Sequence, residues 1–308
     1  MAVQVVAPAH ADRGVIAVRE AELAAPRNDE VAISVRAVGV NPTDWKSADA
    51  TWPRDGPLLL GFEASGVVTG LGPHAGGRGL RIGDAVIAYP VLGAYASDLL
   101  VPAGDLLLKP PTLGFPEAAN LLLVGATAAE MLHVCDIGPR DTVLVHGASG
   151  ATGVSAVQQI RRLGARVVAT SGEGSFALLR SLGATPVAYG PGLADRLRAI
   201  APSGFTAALD CVGTDEAMRT SRDMVPDHRR IVSIVNRDAP AEFGIAFIDG
   251  RDPASYAFRN VARQSLVDLA AAGHLGVPVA RTFPLAAAGE ALQILRTGHP
   301  GGKLALIP

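Results

Sequence analysis

The stretch Leu144–Gly172, LVHGASGATGVSAVQQIRRLGARVVATSG, decides the fold. An apolar run enters a glycine-rich turn, a helix-like segment follows, and a second apolar run, RVVATS, comes next. Within GASGATG the spacing Ala148–Gly150–Gly153 is the dinucleotide fingerprint with its first glycine replaced by alanine. Gly150 lets backbone approach a pyrophosphate, and Gly153 lets the new helix lie close to the strand. The turn Ser149, Gly150, Ala151, Thr152, Gly153 would offer free N–H groups and the positive end of a helix dipole to that anion. The tip of the second strand selects the cofactor. A carboxylate there bonds the ribose 2′-hydroxyl of NAD, and its absence leaves room for a 2′-phosphate. The strand ends at Thr170 and Ser171, which favours NADP(H); Glu173, two residues on, is the rival signal for NAD.

The same rhythm continues outward. Helix FALLRSLG, strand TPVAYG, helix LADRLRAI, strand TAALDCVG, helix DEAMRTSRDMV and strand RRIVSIVN follow in order. Alternation of this kind predicts a doubly wound parallel sheet of Rossmann type, an α/β fold. A helix is predicted over FPEAANLLLVGATAAEMLHV, with Pro116 in its first turn. Residues 1 to about 110 differ. VAISVRAV alternates at Val31, Ile33 and Val35, and further short strands are split by Gly, Pro and Asp, which predicts a β-barrel-like domain. The last stretch, GKLALIP, is expected to rejoin it. The predicted division is residues 1–114 plus 256–308 for the barrel-like domain and 115–255 for the dinucleotide domain.

Bulk properties narrow the function. Of 308 residues, 49% are hydrophobic and 18% charged, which supplies a large core. The net charge of −2, without a basic run, argues against nucleic acid or anionic membrane as a partner. The two cysteines, Cys135 and Cys211, form no CxxC or Cys/His cluster, so neither a disulfide framework nor a zinc lobe is expected. MAVQVVAPAHADRG lacks the pattern of a signal peptide, and no apolar run is long enough to span a membrane. A cytoplasmic protein is expected.

Taken together, VNPTDWK, GFEASGVV, GDAVIAY, VGATAAEML, the opening stretch, LDCVG and GKLAL resemble the zinc-independent branch of the medium-chain dehydrogenase/reductase superfamily, the quinone oxidoreductase and enoyl reductase group. The resemblance implies a chaperonin-10-like β-barrel catalytic domain, a dinucleotide domain, a site between them and a homodimer. Zinc-dependent relatives carry a cysteine where Asn41 stands and a histidine where Phe62 stands, so no catalytic metal is expected.

Hydride transfer without a metal needs a donor to the developing oxyanion. Asn41 and Lys46 of NPTDWK are the candidates: Asn41 for a carbonyl or the ribose, Lys46 for an enolate oxygen or as proton donor. Asn41, Pro42 and Asp44 equally make a helix start, and Trp45 reads as core or cleft wall. Lys46, where many quinone reductases carry tyrosine, tilts the substrate toward enoyl thioesters or enones. The resemblance further implies that Thr127 approaches the nicotinamide, that Tyr189 lies near a 2′-phosphate, that Cys211 and Val212 line the nicotinamide ribose, and that Lys303 reaches the cleft. An exposed strand-start lysine is the plainer reading of Lys303. A lysine common before Tyr189 is missing, Ser175 or Phe176 standing there, with Arg180 available to compensate. The expected activity is NADPH-dependent reduction of an α,β-unsaturated carbonyl, small or carrier-bound. The alternatives are an unusual biosynthetic reduction or cyclisation on the same fold, or a non-catalytic NADP(H)-binding sensor or RNA binder. The loops KSADATWPRDGPL and FGIAFIDGRDPASYAF would shape the pocket.

Overall fold

The computed structural model describes residues 1–7, 16–49 and 56–308; the second half of the N-terminal stretch read above for a leader, and residues 50–55 of the first pocket loop, lie outside the described residues. The chain forms two units, residues 1–123 with 276–308, and residues 124–275.

In the first unit the strands are β1 (Ala2–Ala7), β2 (Ala17–Ala21), β3 (Glu30–Val40), β4 (Leu58–Leu59), β5 (Ala64–Leu71), β6 (Ala85–Ala88), β7 (Asp98–Pro102) and β8 (Leu106–Leu108). Two short helices join them, α1 (Pro42–Ala48) and α2 (Phe115–Ala118). β1 pairs with β2 and β4 in a small antiparallel sheet. β3 is the axis of a larger one, pairing antiparallel with β5 and β7. Its alternating Val31, Ile33 and Val35 are all buried, and they share one core with Val5, Tyr95 and Leu304.

The second unit follows along α3 (Leu122–Val134). Its sheet is built from β9 (Thr142–His146), β10 (Arg166–Ser171), β11 (Thr185–Ala188), β12 (Ala207–Asp210), β13 (Ile231–Ser233) and β14 (Ala246–Phe247). Every pairing is parallel, and the order is β11-β10-β9-β12-β13-β14. The strand order therefore reverses beside β9, the doubly wound arrangement that sets loops from β9 and β12 at a ligand crevice. The crossovers are α4 (Ala151–Arg162), α5 (Phe176–Ser181), α6 (Leu193–Ile200), α7 (Asp215–Met224) and α8 (Ala239–Phe243). Successive strand residues go to opposite faces. Val143, Val145, Val167 and Leu209 share a core with Ile160 of α4 and Met131 of α3, while Leu144, Val168 and Ala208 pack with Leu197 and Met218. Burial on both faces explains why these strands read as unbroken apolar runs.

Three features differ from the sequence reading. The helix expected from Phe115 to Val134 breaks at residues 119–121. There the Asn120 side chain donates to the Pro116 carbonyl (2.9 Å), and the Leu123 N–H starts a new helix on a Glu63 carboxylate oxygen (2.9 Å). The short α8 and β14 carried no periodic signal. The return to the first unit was placed at residue 256, yet α9 (Pro253–Ala271) belongs to the second. Its Arg259 donates to Glu130 of α3 (2.5 Å) in a buried ion pair, and Phe258 stacks on His133 with centroids 4.5 Å apart. The first unit resumes with β15 (Val279–Pro284), α10 (Ala288–Thr297) and β16 (Lys303–Ile307), and β16 lies parallel to β15 and antiparallel to β3. Among the described residues no helix is long and apolar enough to cross a membrane.

Arg259→Met leaves Glu130 buried without its partner, and should destabilise the protein by about 3–5 kcal/mol in urea unfolding followed by circular dichroism. The double variant E130L/R259M, which removes both charges, should recover most of that loss. Equal stability of R259M and the wild type would show the pair to be inert.

Candidate dinucleotide site

The turn after β9 is built by the absence of side chains. Gly147 has φ +67°, and a Cβ there would lie 3.2 Å from the Cys211 carbonyl group and the Val212 side chain. At Gly153 a Cβ would stand 2.5 Å from the Gly147 oxygen and 2.6 Å from Ala148 Cα, so no other residue fits. Gly150, extended at φ −70° and ψ 161°, caps α4. The N–H groups of Ala151, Thr152 and Gly153 have no acceptor within the helix, and Gly150 has no side chain to offer one. The result is a cradle of N–H donors at the positive end of a twelve-residue helix. Sequence reasoning took Ala148 for the first position of the motif and missed Gly147. Ala148 is instead wholly buried, its N–H donating to the Thr170 carbonyl (3.1 Å) and tying the turn to β10.

Several expected residues gather around this turn. Cys211 and Val212 abut Gly147. Burial, with the Asp210 charge beside it, pushes the Cys211 thiol far up, which makes it packing rather than a nucleophile. Ser171 is buried at the tip of β10, its hydroxyl donating to the Gly172 carbonyl (3.0 Å). The Tyr189 ring is exposed, and its hydroxyl overhangs Gly172. The loop carrying Tyr189 is held by Arg196, which donates to the carbonyls of Ala188, Gly190 and Pro191. Glu173 is exposed, Arg180 lies over the Phe176 ring at 5.5 Å, and Thr127 is buried in α3.

The remaining candidates lie in the first unit. Lys303 is not the exposed strand-start lysine of the plainer reading. It is 4% exposed, and its ammonium donates to the Val40 carbonyl (3.1 Å), to Asn41 Oδ1 and to Glu63 Oε1 (3.5 Å). Three protons meet three protein acceptors. Asn41, wholly buried, gives its amide oxygen to Lys303 and an N–H to Glu63 Oε1 (2.9 Å), so both ends of its amide are engaged within the protein. Asp44 accepts from the Asn41 N–H (2.7 Å), the helix-start role read from the sequence, and also from the Tyr95 hydroxyl (2.9 Å). Glu63 and Tyr95 were missed, for they lie far along the chain from NPTDWK and carry no local signal. Lys46 alone of this group is exposed, its ammonium 5.8 Å from the Trp45 ring centre.

Comparison with known proteins now bears on this geometry. Residues 27–115 match the alcohol dehydrogenase GroES-like domain, and residues 182–306 match the zinc-binding dehydrogenase domain. A trans-enoyl reductase of Trichoderma harzianum is 35% identical over 225 residues, 64% of this chain and 60% of the relative. A 2-haloacrylate reductase of Burkholderia is 29% identical over 94% of both chains. The crystal structure of Escherichia coli quinone oxidoreductase complexed with NADPH superposes with a TM-score of 0.83 at 26% identity, covering 99% of this chain and 100% of that one. The chain belongs to the medium-chain dehydrogenase/reductase superfamily, in its quinone oxidoreductase and enoyl reductase branch. The matched region spans about three fifths of the length of the trans-enoyl reductases.

In this member of the superfamily the buried network carries a titration. Burial pushes Asp44 from 3.8 to about 7, and its Oδ1 has no hydrogen-bond partner. The folded state thus holds a proton more tightly than the unfolded one. The stabilisation is complete below about pH 4 and is lost as pH rises through about 7. Asp44→Asn keeps an acceptor for Asn41 and Tyr95 and removes the titration. Its unfolding free energy relative to wild type should therefore rise between pH 4 and pH 7, by at most ~4 kcal/mol, in urea melts at pH 5 and pH 8. A difference independent of pH would contradict the protonated carboxyl.

Proposed function

We propose that this chain is a zinc-independent, NADPH-dependent reductase that delivers hydride to the β-carbon of a conjugated carbonyl: an enone, enoyl thioester or quinone. The observation that carries the reading is the N–H cradle of α4, closed by Gly153, beside a strand tip that ends in Ser171 rather than a carboxylate. Bound there, the nicotinamide supplies a hydride from its C4. The N–H groups of Ala151–Gly153 take the pyrophosphate, and Ser171 with the Tyr189 hydroxyl leaves the 2′ position open to a phosphate. Lys46, exposed on α1, donates an N–H to the substrate's enolate oxygen and passes on a proton.

Substrate class is supported by the relatives. An enoyl group, a haloacrylate and a quinone share a C=C bond conjugated to C=O. The donor set does not fit zinc. Asn41 and Phe62 stand where zinc-dependent relatives place cysteine and histidine, and Glu63 is spent on Leu123, Asn41 and Lys303. Among the described residues no group of three or more His, Cys, Asp or Glu could hold a metal ion. Among the described residues β14 ends the sheet, and its outer edge offers a surface for a homodimer formed by sheet extension.

Titration with NADPH and NADH by intrinsic fluorescence tests the cofactor. NADPH should bind at least ~10-fold more tightly, and Ser171→Asp should reverse the order. Preference of the wild type for NADH would hand the ribose to Glu173 and overturn the assignment. On a panel of enones, quinones and enoyl thioesters, Lys46→Met should lower kcat by about 10²-fold without changing NADPH affinity.

A further inference from the structure

At the far side of the strand-order reversal from α4, the loops after β12 and β13 hang from one buried pair. Asp210 is wholly buried at the end of β12, in register with His146 of β9 and Ser233 of β13. Its Oδ1 accepts the N–H groups of Val212 (3.0 Å) and Gly213 (2.9 Å). Its Oδ2 accepts the Gly213 N–H again (3.1 Å) and the Ser233 hydroxyl (2.5 Å). Ser233, also wholly buried, accepts in turn the N–H groups of Val235 (3.2 Å) and Asn236 (3.1 Å).

The loops so held meet on either side of Gly213. That residue has φ +74°, and a Cβ there would lie 2.7 Å from Val235 Cγ1. On the other flank, Cys211 and Val212 press against Gly147. Val212 and Val235 remain 41% and 38% exposed, an apolar ledge on an edge otherwise made of backbone and buried polar groups. A dinucleotide with its pyrophosphate on α4 and its adenosine toward β10 must extend its other half over β12. A flat, weakly polar ring fits such a ledge.

We infer that Asp210 is a positioning residue for the nicotinamide half of the cofactor, acting through the two loops it latches together with Ser233; this rests on the dinucleotide reading above. Release of the latch lets the Cys211–Gly213 loop leave Gly147 and takes away the ledge. The adenosine half, bound across β10, feels nothing. Selective loss of one half of the ligand is something general loosening of the fold does not produce.

The test compares NADPH with 2′,5′-ADP, which carries only the adenosine half, by fluorescence or calorimetric titration of the whole protein, together with steady-state turnover of an enone. For Asp210→Ala, NADPH affinity and kcat should each fall by about 10- to 100-fold, the scale of several lost hydrogen bonds and a misplaced ring, while 2′,5′-ADP binding stays within about 2-fold. Asp210→Asn should restore most of the loss, since its amide oxygen still accepts the Val212 and Gly213 N–H groups. Ser233→Ala, which keeps those two contacts and loses the hydroxyl, should show a smaller selective loss, and it carries the test if D210A does not fold. Equal weakening of both ligands, or no change in either, overturns the role of Asp210 while leaving the cofactor assignment standing. A wild type that binds neither ligand overturns both.

Discussion

The approach of Gly153 to the Gly147 carbonyl governs the second unit. With 2.5 Å between a notional Cβ and that oxygen, helix α4 can seat itself directly on the end of β9 only because the side chain is missing. Once seated, its Ala156, Val157 and Ile160 meet Val143, Val145 and Val167 of the sheet. The seat also orders the other loops. Ala148 reaches the end of β10 through its N–H, and Gly147 meets the loop after β12. One forbidden methyl group thus fixes where a helix dipole, a strand tip and a neighbouring loop converge.

The first unit rests on a different kind of constraint. Removing Lys303 and Glu63 from water costs several kcal/mol per ion. The structure offsets this by geometry. The ammonium finds three acceptors, both oxygens of Glu63 are used, and Asp44, whose second oxygen finds no donor, keeps its proton up to about pH 7. Such a cluster ties β16, the start of α1 and the start of α3 to one another with directional bonds, which apolar packing alone does not supply.

Much of this was legible in the amino-acid order. The alternation of strand and helix from residue 142 onward is read directly, because each element is long enough to show its period and glycines punctuate it. Asn41, Pro42 and Asp44 were readable as a helix start, since capping is local chemistry. The role of Lys303 was not readable. Its partners lie 240 and more residues away, and a lysine before a short strand looks the same whether exposed or buried. Gly147 was passed over because motif spacing, rather than the sign of φ, directed attention to Ala148. The break at 119–121 depends on a carboxylate from Glu63, which no helical periodicity can reveal. Asp210 stood in plain view within LDCVG, but its bond from the Ser233 hydroxyl emerges only when β12 and β13 lie side by side.

The distance along the chain between Asn41 and Lys303, 262 residues, has a consequence for how the molecule comes into being. During synthesis the strands of the first unit are made early, but Glu63 and Asn41 then have no cation to meet, and β3 has no β16 beside it. The intervening residues build a sheet whose strands all lie between residues 142 and 247, so that unit closes without the returning strand. The earlier-made unit completes itself last, since Glu63 meets its cation only when the returning strand arrives. The unit made first therefore cannot close its buried polar cluster until the last residues of the chain are made.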